Sequence, residues 1–223
     1  MARPGLFLDN RMDPEGEMMR AATALLMTIF CATASAADIC PPANIDAKYG
    51  PFDYTDPVAV AQNLPIVEKY HFQPQVEELI RGESGSVIGD LDYVLRSFPN
   101  HHRALRSLTR LAMREHSDRP DHAHFTVDCY FRRALGFAPQ DPIVHLLYGN
   151  YLYDGGSAKL ALDQFLQAEK LAPSNPNVLY NAGLMYFNLK EYDQALSYAK
   201  RAYAAGFPLQ GLKLKLKKAG KWQ

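Results

Sequence analysis

The C-terminal half of the sequence repeats at an interval of 34 residues. Pro139 and Pro173 are 34 residues apart, and each follows an alanine-containing stretch with helical apolar spacing. The next equivalent turn is at 206–208, whereas Pro99 lies 40 residues before Pro139, so that unit would carry about six extra residues. Periods of this size are typical of solenoids, in which stacked copies of one unit share a continuous core.

Small residues recur at matching positions of this period. In residues 142–175 and 176–209, glycine occupies the eighth position (Gly149 and Gly183) and alanine the twentieth (Ala161 and Ala195). Two antiparallel helices approach closely only where side chains are small, so these positions predict the contact inside each hairpin. The large apolar residues form one stripe per hairpin, which needs a neighbouring unit to bury it.

The pattern resembles the tetratricopeptide repeat (TPR) family. The resemblance implies an all-α, TPR-type helical-hairpin solenoid with an irregular N-terminal arm. We interpret residues 142–208 as two TPR repeats, residues 66–141 as divergent N-terminal helical hairpins, and residues 209–223 as a C-terminal basic capping helix.

Residues 37–65 differ in kind from the repeats. The stretch 49–57 is rich in aromatic residues and proline, lacks any period, and predicts an extended arm followed by a short helix or turn. The arm either packs against the first helices or docks in the groove of the solenoid. Together with residues 67–72 and 90–105, it resembles exported bacterial TPR proteins of unassigned role, which implies a compartment and a fold but no activity.

Residues 18–36 have the pattern of a signal peptide. Arg20 precedes an uncharged apolar stretch, and Ala34-Ser35-Ala36 is a small-x-small cleavage site, so we predict cleavage after Ala36 and a periplasmic or secreted protein. The uncharged stretch is shorter than the roughly twenty residues that span a bilayer, which predicts no stable membrane insertion after cleavage. Residues 1–17 are interpreted as a non-native or unstructured extension.

Two cysteines remain after removal of the signal peptide, Cys40 and Cys129. In an oxidising compartment they could form one intramolecular disulfide. Alternatively, Cys129 could be a buried thiol and Cys40 a loose one. We predict that they pair and tie the arm to a helix.

Charge and motifs exclude several classes of function. Lysine plus arginine and aspartate plus glutamate each number 24, so no net field attracts nucleic acid. The sequence lacks a nucleophile elbow, a phosphate-binding loop and a zinc-protease helix. We therefore predict no enzyme, no catalytic residue and no cofactor.

A histidine-rich loop supports an alternative function. His116, His122 and His124 could ligate zinc, because a His-x-His pair and a third histidine suit that metal. Polar loops also contain such groups by chance, so a metal-binding protein is the second hypothesis and no metal site is assigned.

In TPR hairpins the first helix of each repeat lines the concave face. The residues at the exposed slots predict a peptide-binding site formed by Asn150, Tyr153, Tyr180, Asn181, Leu184, Phe187 and Asn188. TPR domains that clamp a terminal carboxylate resemble this chain at Asn150 and Asn181, but they have lysine where this chain has Leu146. We therefore expect aromatic contacts and asparagine hydrogen bonds to the backbone of a peptide, or else aromatic residues that merely seal the stack.

These features predict an exported TPR scaffold that mediates protein–protein interaction. Export suggests a role in envelope assembly or secretion, with a partner protein or peptide that no motif identifies.

Overall fold

The computed structural model describes residues 40–44 and 48–222. Within these residues the secondary structure consists of α-helices and turns, without a β-strand. The helices are, in chain order, α1 (Pro57–His71), α2 (Pro74–Glu77), α3 (Val87–Ser97), α4 (His102–Glu115), α5 (Val127–Phe137), α6 (Pro142–Asp154), α7 (Ala158–Leu171), α8 (Pro176–Asn188), α9 (Tyr192–Ala204) and α10 (Gly211–Lys218). The predicted signal peptide and the extension before it, residues 1–36, lie outside the described residues. Over the described ranges, no helix is long and apolar enough to cross a membrane.

Helices α6 to α9 form the two hairpins that the 34-residue period predicts. Helix α6 begins after Asp141, whose side chain accepts hydrogen bonds from the next N–H groups, and α8 begins in the same way after Asn175. A proline follows each cap, at a position where its missing N–H costs nothing. The repeat is therefore encoded locally by a cap, a proline and an apolar stripe.

Close approach inside the hairpins occurs at the two predicted glycines. A Cβ atom at Gly149 would lie 2.5 Å from the ring of Phe165, and one at Gly183 would lie 3.0 Å from Cβ of Tyr198. Ala161 is fully buried, but the atoms nearest Gly149 belong to Phe165. The glycines therefore make room for large residues of the second helix.

The enlarged repeat consists of α4 and α5, joined by the loop at 116–126. Leu105 and Leu108 of α4 and Phe131 of α5 are fully buried and share one core with Leu91 and Leu95 of α3. This core extends into α6 and connects the N-terminal hairpins to the two regular repeats.

Helix α1 begins at Pro57, inside the range predicted to be an extended arm. The Asp56 side chain accepts a hydrogen bond from the N–H of Val58 and caps the first turn. Pro65 removes one backbone hydrogen bond, but the helix continues because Leu64 and Val67 on either side of it pack into the core. A helix therefore follows the arm, and at 15 residues it is longer than the short helix or turn predicted.

The preceding arm packs against the turn between α3 and α4. The N–H of Phe52 donates to the carbonyl oxygen of Ser97 at 2.8 Å, and the N–H of Tyr54 donates to Oδ1 of Asn100 at 2.9 Å. The Tyr54 ring lies 4.4 Å from the ring of His101. Of the two interpretations of the arm, the described residues support packing against the first helices.

Cys40 and Cys129 form a disulfide, with their Cα atoms 5.5 Å apart. The predicted pairing is thus present, and it joins the start of the described chain to α5. Nη1 of Arg133, on the same helix, donates to the carbonyl oxygen of Pro41 at 2.9 Å. The segment at 40–44 is therefore held by the disulfide and by hydrogen bonds from Arg133 to the carbonyl oxygens of Pro41 and Pro42.

A buried polar network fixes the position of α4 relative to α1 and α6. Nδ1 of His101 accepts a hydrogen bond from the N–H of Ala104, while its Nε2 lies 3.1 Å from Glu68 Oε1. Burial lowers the pKa of His101, which keeps the ring neutral with its proton on Nε2. Asp141 pairs with His102 at 2.7 Å, and despite its burial this hydrogen bond and one from Asn100 hold its pKa below the usual value.

Candidate functional site

A groove runs along the first helices of the hairpins, α4, α6 and α8. It has a volume of about 500 Å³. It is lined by Arg106, Thr109, Arg110, Met113, Ile143, Leu146, Leu147, Asn150, Asp154, Asn175, Asn177 and Asn181. Three consecutive hairpins contribute to it, so the groove exists only because the hairpins stack.

The apolar part of the groove comes mainly from α6. Leu146 and Leu147 are nearly buried, at 9% and 8% exposure, and Ile143 lies one turn before them. Met113 of α4 is 51% exposed and extends this surface across the groove. Leucine and flexible methionine side chains adapt well to an apolar side chain of a ligand.

Two asparagines place amide groups along this surface. Asn150 and Asn181 are half-buried, and their side chains make no hydrogen bond within the described ranges. Asn175 differs, because its Oδ1 accepts hydrogen bonds from the N–H groups that open α8. An amide both donates and accepts, so Asn150 and Asn181 can pair with either group of a peptide backbone.

Two of the three aromatic residues predicted to contact a ligand, Tyr180 and Phe187, lie against the C-terminal segment of the chain. The Tyr180 ring stacks on Phe207 at 3.9 Å, and the Tyr180 hydroxyl accepts a hydrogen bond from the N–H of Leu212. Phe187 and Leu184 pack against the core under α10. Helix α10 covers this face because its buried leucines need an apolar surface, and the last repeat supplies one.

The other two predicted residues lie near the ends of their helices. Tyr153 is 37% exposed near the end of α6, and Asn188 is exposed at the end of α8. The groove is lined by neither of them. Of the seven predicted residues, the structure brings Asn150 and Asn181 together in the groove.

Two arginines of α4, Arg106 and Arg110, were missed because the sequence argument used only residues 142–208. The N-cap of α4 is His101, equivalent to Asp141 of α6. Arg106 therefore stands at the slot of Leu146, and Arg110 at the slot of Asn150. Aligning His101 with Asp141 would have indicated both arginines from the sequence.

Two histidines of the histidine-rich loop pair with different aspartates. His124 Nδ1 pairs with Asp92 at 2.8 Å, whereas His122 faces Asp121 at the surface. Across residues 40–44 and 48–222, no group of three or more His, Cys, Asp or Glu side chains is arranged to hold a metal ion.

The comparisons with known proteins give matches among solved structures. No protein-family model matches the sequence, and the search of curated proteins finds no match. The structure of MamA MSR-1 C2 is 16% identical over 66% of this chain and 76% of that chain, with a TM-score of 0.44. The structure of PilF from Pseudomonas aeruginosa is 20% identical over 70% of this chain and 67% of that chain, with a TM-score of 0.51. Both are TPR-repeat proteins.

The likeness to PilF agrees with the helical hairpins of the described residues. Helices α6 to α9 repeat one hairpin at the 34-residue period, and α4 and α5 precede them in the chain and share a core with α6. The chain therefore has a TPR-type fold, an all-α solenoid of helical hairpins.

Proposed function

We propose that this chain is a non-catalytic scaffold that binds a peptide segment of a partner protein in its groove. The observation that carries the proposal is the groove itself, which combines an apolar surface at Leu146 and Leu147 with amides at Asn150 and Asn181. The TPR-type fold supports a protein partner, because such solenoids present an extended concave surface. Nucleic acid fits poorly with a chain of balanced charge.

The groove suits an extended or helical segment held in two ways. An apolar ligand side chain would bury surface against Leu146, Leu147 and Met113, which provides affinity. The amides of Asn150 and Asn181 would hydrogen-bond the ligand backbone, which fixes its direction. Aromatic contact from Tyr180 and Phe187 is not part of the proposal, since both pack under α10.

Removal of both amides should weaken partner binding. Asn150→Ala combined with Asn181→Ala is expected to lower affinity roughly tenfold or more, since a hydrogen bond contributes about 1 kcal/mol. The partner would be identified by pull-down from the envelope fraction with the mature chain, and its affinity measured by titration calorimetry.

A matched control uses amides outside the groove. Gln140→Ala combined with Gln194→Ala removes two exposed amides and should leave affinity unchanged. Circular dichroism would establish that both double variants remain folded. Undiminished affinity in a folded Asn150→Ala, Asn181→Ala variant would remove the groove from the mechanism.

The proposal includes export and a role in envelope assembly or secretion. The Cys40–Cys129 disulfide supports an oxidising, non-cytoplasmic compartment. Signal peptidase cleavage after Ala36 would leave Cys40 close to the new N-terminus. N-terminal sequencing of the protein from its native host should give Ala37 first, and a protein that still begins before Ala21 would contradict export by this signal.

A further inference from the structure

A row of arginines lies along one side of α4. Arg103, Arg106, Arg110 and Arg114 are spaced three or four residues apart, which places neighbours in the row about one helical turn from each other. Arg103 lies against α1 and α2, whereas Arg106 and Arg110 line the groove. The wall that α4 contributes to the groove is therefore positively charged.

The chain's own residues 77–79 show what this row binds. Both carboxylate oxygens of Glu77 pair with the guanidinium of Arg103, and Glu78 Oε2 lies 3.1 Å from Nη2 of Arg110. The carbonyl oxygen of Leu79 accepts a hydrogen bond from Nη1 of Arg114 at 2.8 Å. An acidic segment thus already runs along α4 and is held by three of the four arginines of the row, Arg103, Arg110 and Arg114.

Arg106 is the member of the row without such a contact. It is exposed on the groove side, and within the described ranges no hydrogen bond or ion pair involves its side chain. Arg110 is engaged only at the surface, because its side chain is 45% exposed and that of Glu78 is 58% exposed. Such an exposed pair exchanges readily for a competing carboxylate.

The opposite wall does not neutralise these two arginines. Asp154, near the end of α6, is the acidic residue in the lining of the groove, and the other polar lining residues are neutral. Arg106 and Arg110 therefore favour an anionic ligand, while Asn150 and Asn181 are placed to hydrogen-bond its backbone.

We propose that the groove selects a segment carrying aspartate or glutamate side chains, whose carboxylates pair with Arg106 and Arg110. This inference rests on the proposed peptide-binding function and names its ligand class. The carboxylates of the ligand belong to side chains and not to its C-terminus, because the adjacent side chains of Glu77 and Glu78 already pair with Arg103 and Arg110 in this way. Glu78 acts as an internal competitor that a ligand carboxylate displaces from Arg110.

Selection from a random peptide library displayed with blocked C-termini tests the proposal on the full mature chain. Peptides enriched by this chain should contain paired acidic residues, and replacing those residues with Gln or Asn should abolish binding. Arg106→Gln combined with Arg110→Gln should weaken binding of the selected peptide roughly 30-fold or more, as expected for lost hydrogen bonds to charged groups.

Two further variants separate a charge-specific site from a general charge effect. Lys159→Gln combined with Lys200→Gln removes two exposed cations outside the groove and should leave affinity unchanged. Glu78→Gln should raise affinity about two- to tenfold, because it frees Arg110, whereas Glu191→Gln at an exposed position should not. Circular dichroism would confirm that each variant is folded.

The outcomes distinguish this proposal from the function on which it rests. Selection of neutral peptides whose binding needs Asn150 and Asn181 would overturn the acidic ligand and leave peptide binding standing. Binding of the selected peptide that persists in the folded Arg106→Gln, Arg110→Gln variant would also overturn it. Failure of every library peptide to bind the wild-type chain would overturn both proposals.

Discussion

Gly183→Leu is expected to lower the free energy of unfolding by about 1 to 3 kcal/mol or more, because it overpacks the last hairpin. A Cβ atom at this position would already lie 2.9 Å from Cδ2 of Leu212 and 3.0 Å from Cβ of Tyr198. Leu212 could change its rotamer, but Cβ of Tyr198 is fixed to the backbone of α9. Further carbon atoms would therefore force α8 away from α9 and α10. Urea denaturation of the mature chain measures the effect.

Gly136→Leu is the matched control, because it makes the same substitution in a helix without overpacking. Gly136 lies within α5, and no atom is within 4 Å of the Cβ that would be added there. The free energy of unfolding of the Gly136→Leu variant should equal or exceed that of the wild type, since leucine favours a helix more than glycine does. An unchanged unfolding transition for Gly183→Leu would show that α8 and α9 do not meet at this register.

Loss of the disulfide is expected to have the largest effect on stability. Cys40 and Cys129 are separated by 89 residues, and in the loop-entropy model closing a loop of this length stabilises the fold by roughly 4 to 5 kcal/mol. Cys40→Ala should therefore lower the unfolding midpoint in urea by a large margin. Cys129 remains buried in α5, so this single substitution avoids a cavity at the core end of the bond.

Reducing agent supplies the control for the disulfide prediction. It should destabilise the wild-type chain and leave the Cys40→Ala variant unaffected, because that variant has no bond to reduce. Thiol counting on the unreduced mature protein should find no free thiol. Two free thiols would rule out the bond, and equal stability of oxidised and reduced wild type would contradict its energetic role.

The regular repeats could be predicted because their determinants are close together in the sequence. Asp141-Pro142 and Asn175-Pro176 set each helix start, because each cap side chain accepts hydrogen bonds from the N–H groups two and three residues further on. Gly149 and Gly183 then mark where the second helix of the same hairpin approaches. These caps and glycines lie within 34 residues of the positions they affect. The pattern can therefore be recognised in the sequence, and it indicates the TPR-type fold.

The N-terminal region was predicted less well because its helices depend on distant partners. The sequence predicted only a short helix or turn after the arm, whereas α1 continues through Pro65, since Leu64 and Val67 pack into a core supplied largely by α3 and α4. The local cost of proline is visible in the sequence, whereas the compensating burial is not. Tyr180 and Phe187 were hard to predict for the same reason. They are covered by α10, and the sequence does not show where the chain runs after Gly206.

The sequence by itself determined the hairpin period and, through the resemblance to TPR proteins, indicated Asn150 and Asn181, while it predicted the pairing of Cys40 with Cys129 beside the alternative of free thiols. Only the tertiary structure decided which side chains share the groove. It turned Tyr180 and Phe187 toward α10 and brought Arg106 and Arg110 of α4 beside the asparagines of α6 and α8. The physical reason is that a stacked solenoid assembles its binding surface from consecutive hairpins, so the chemistry of each groove position is set by neighbours tens of residues away.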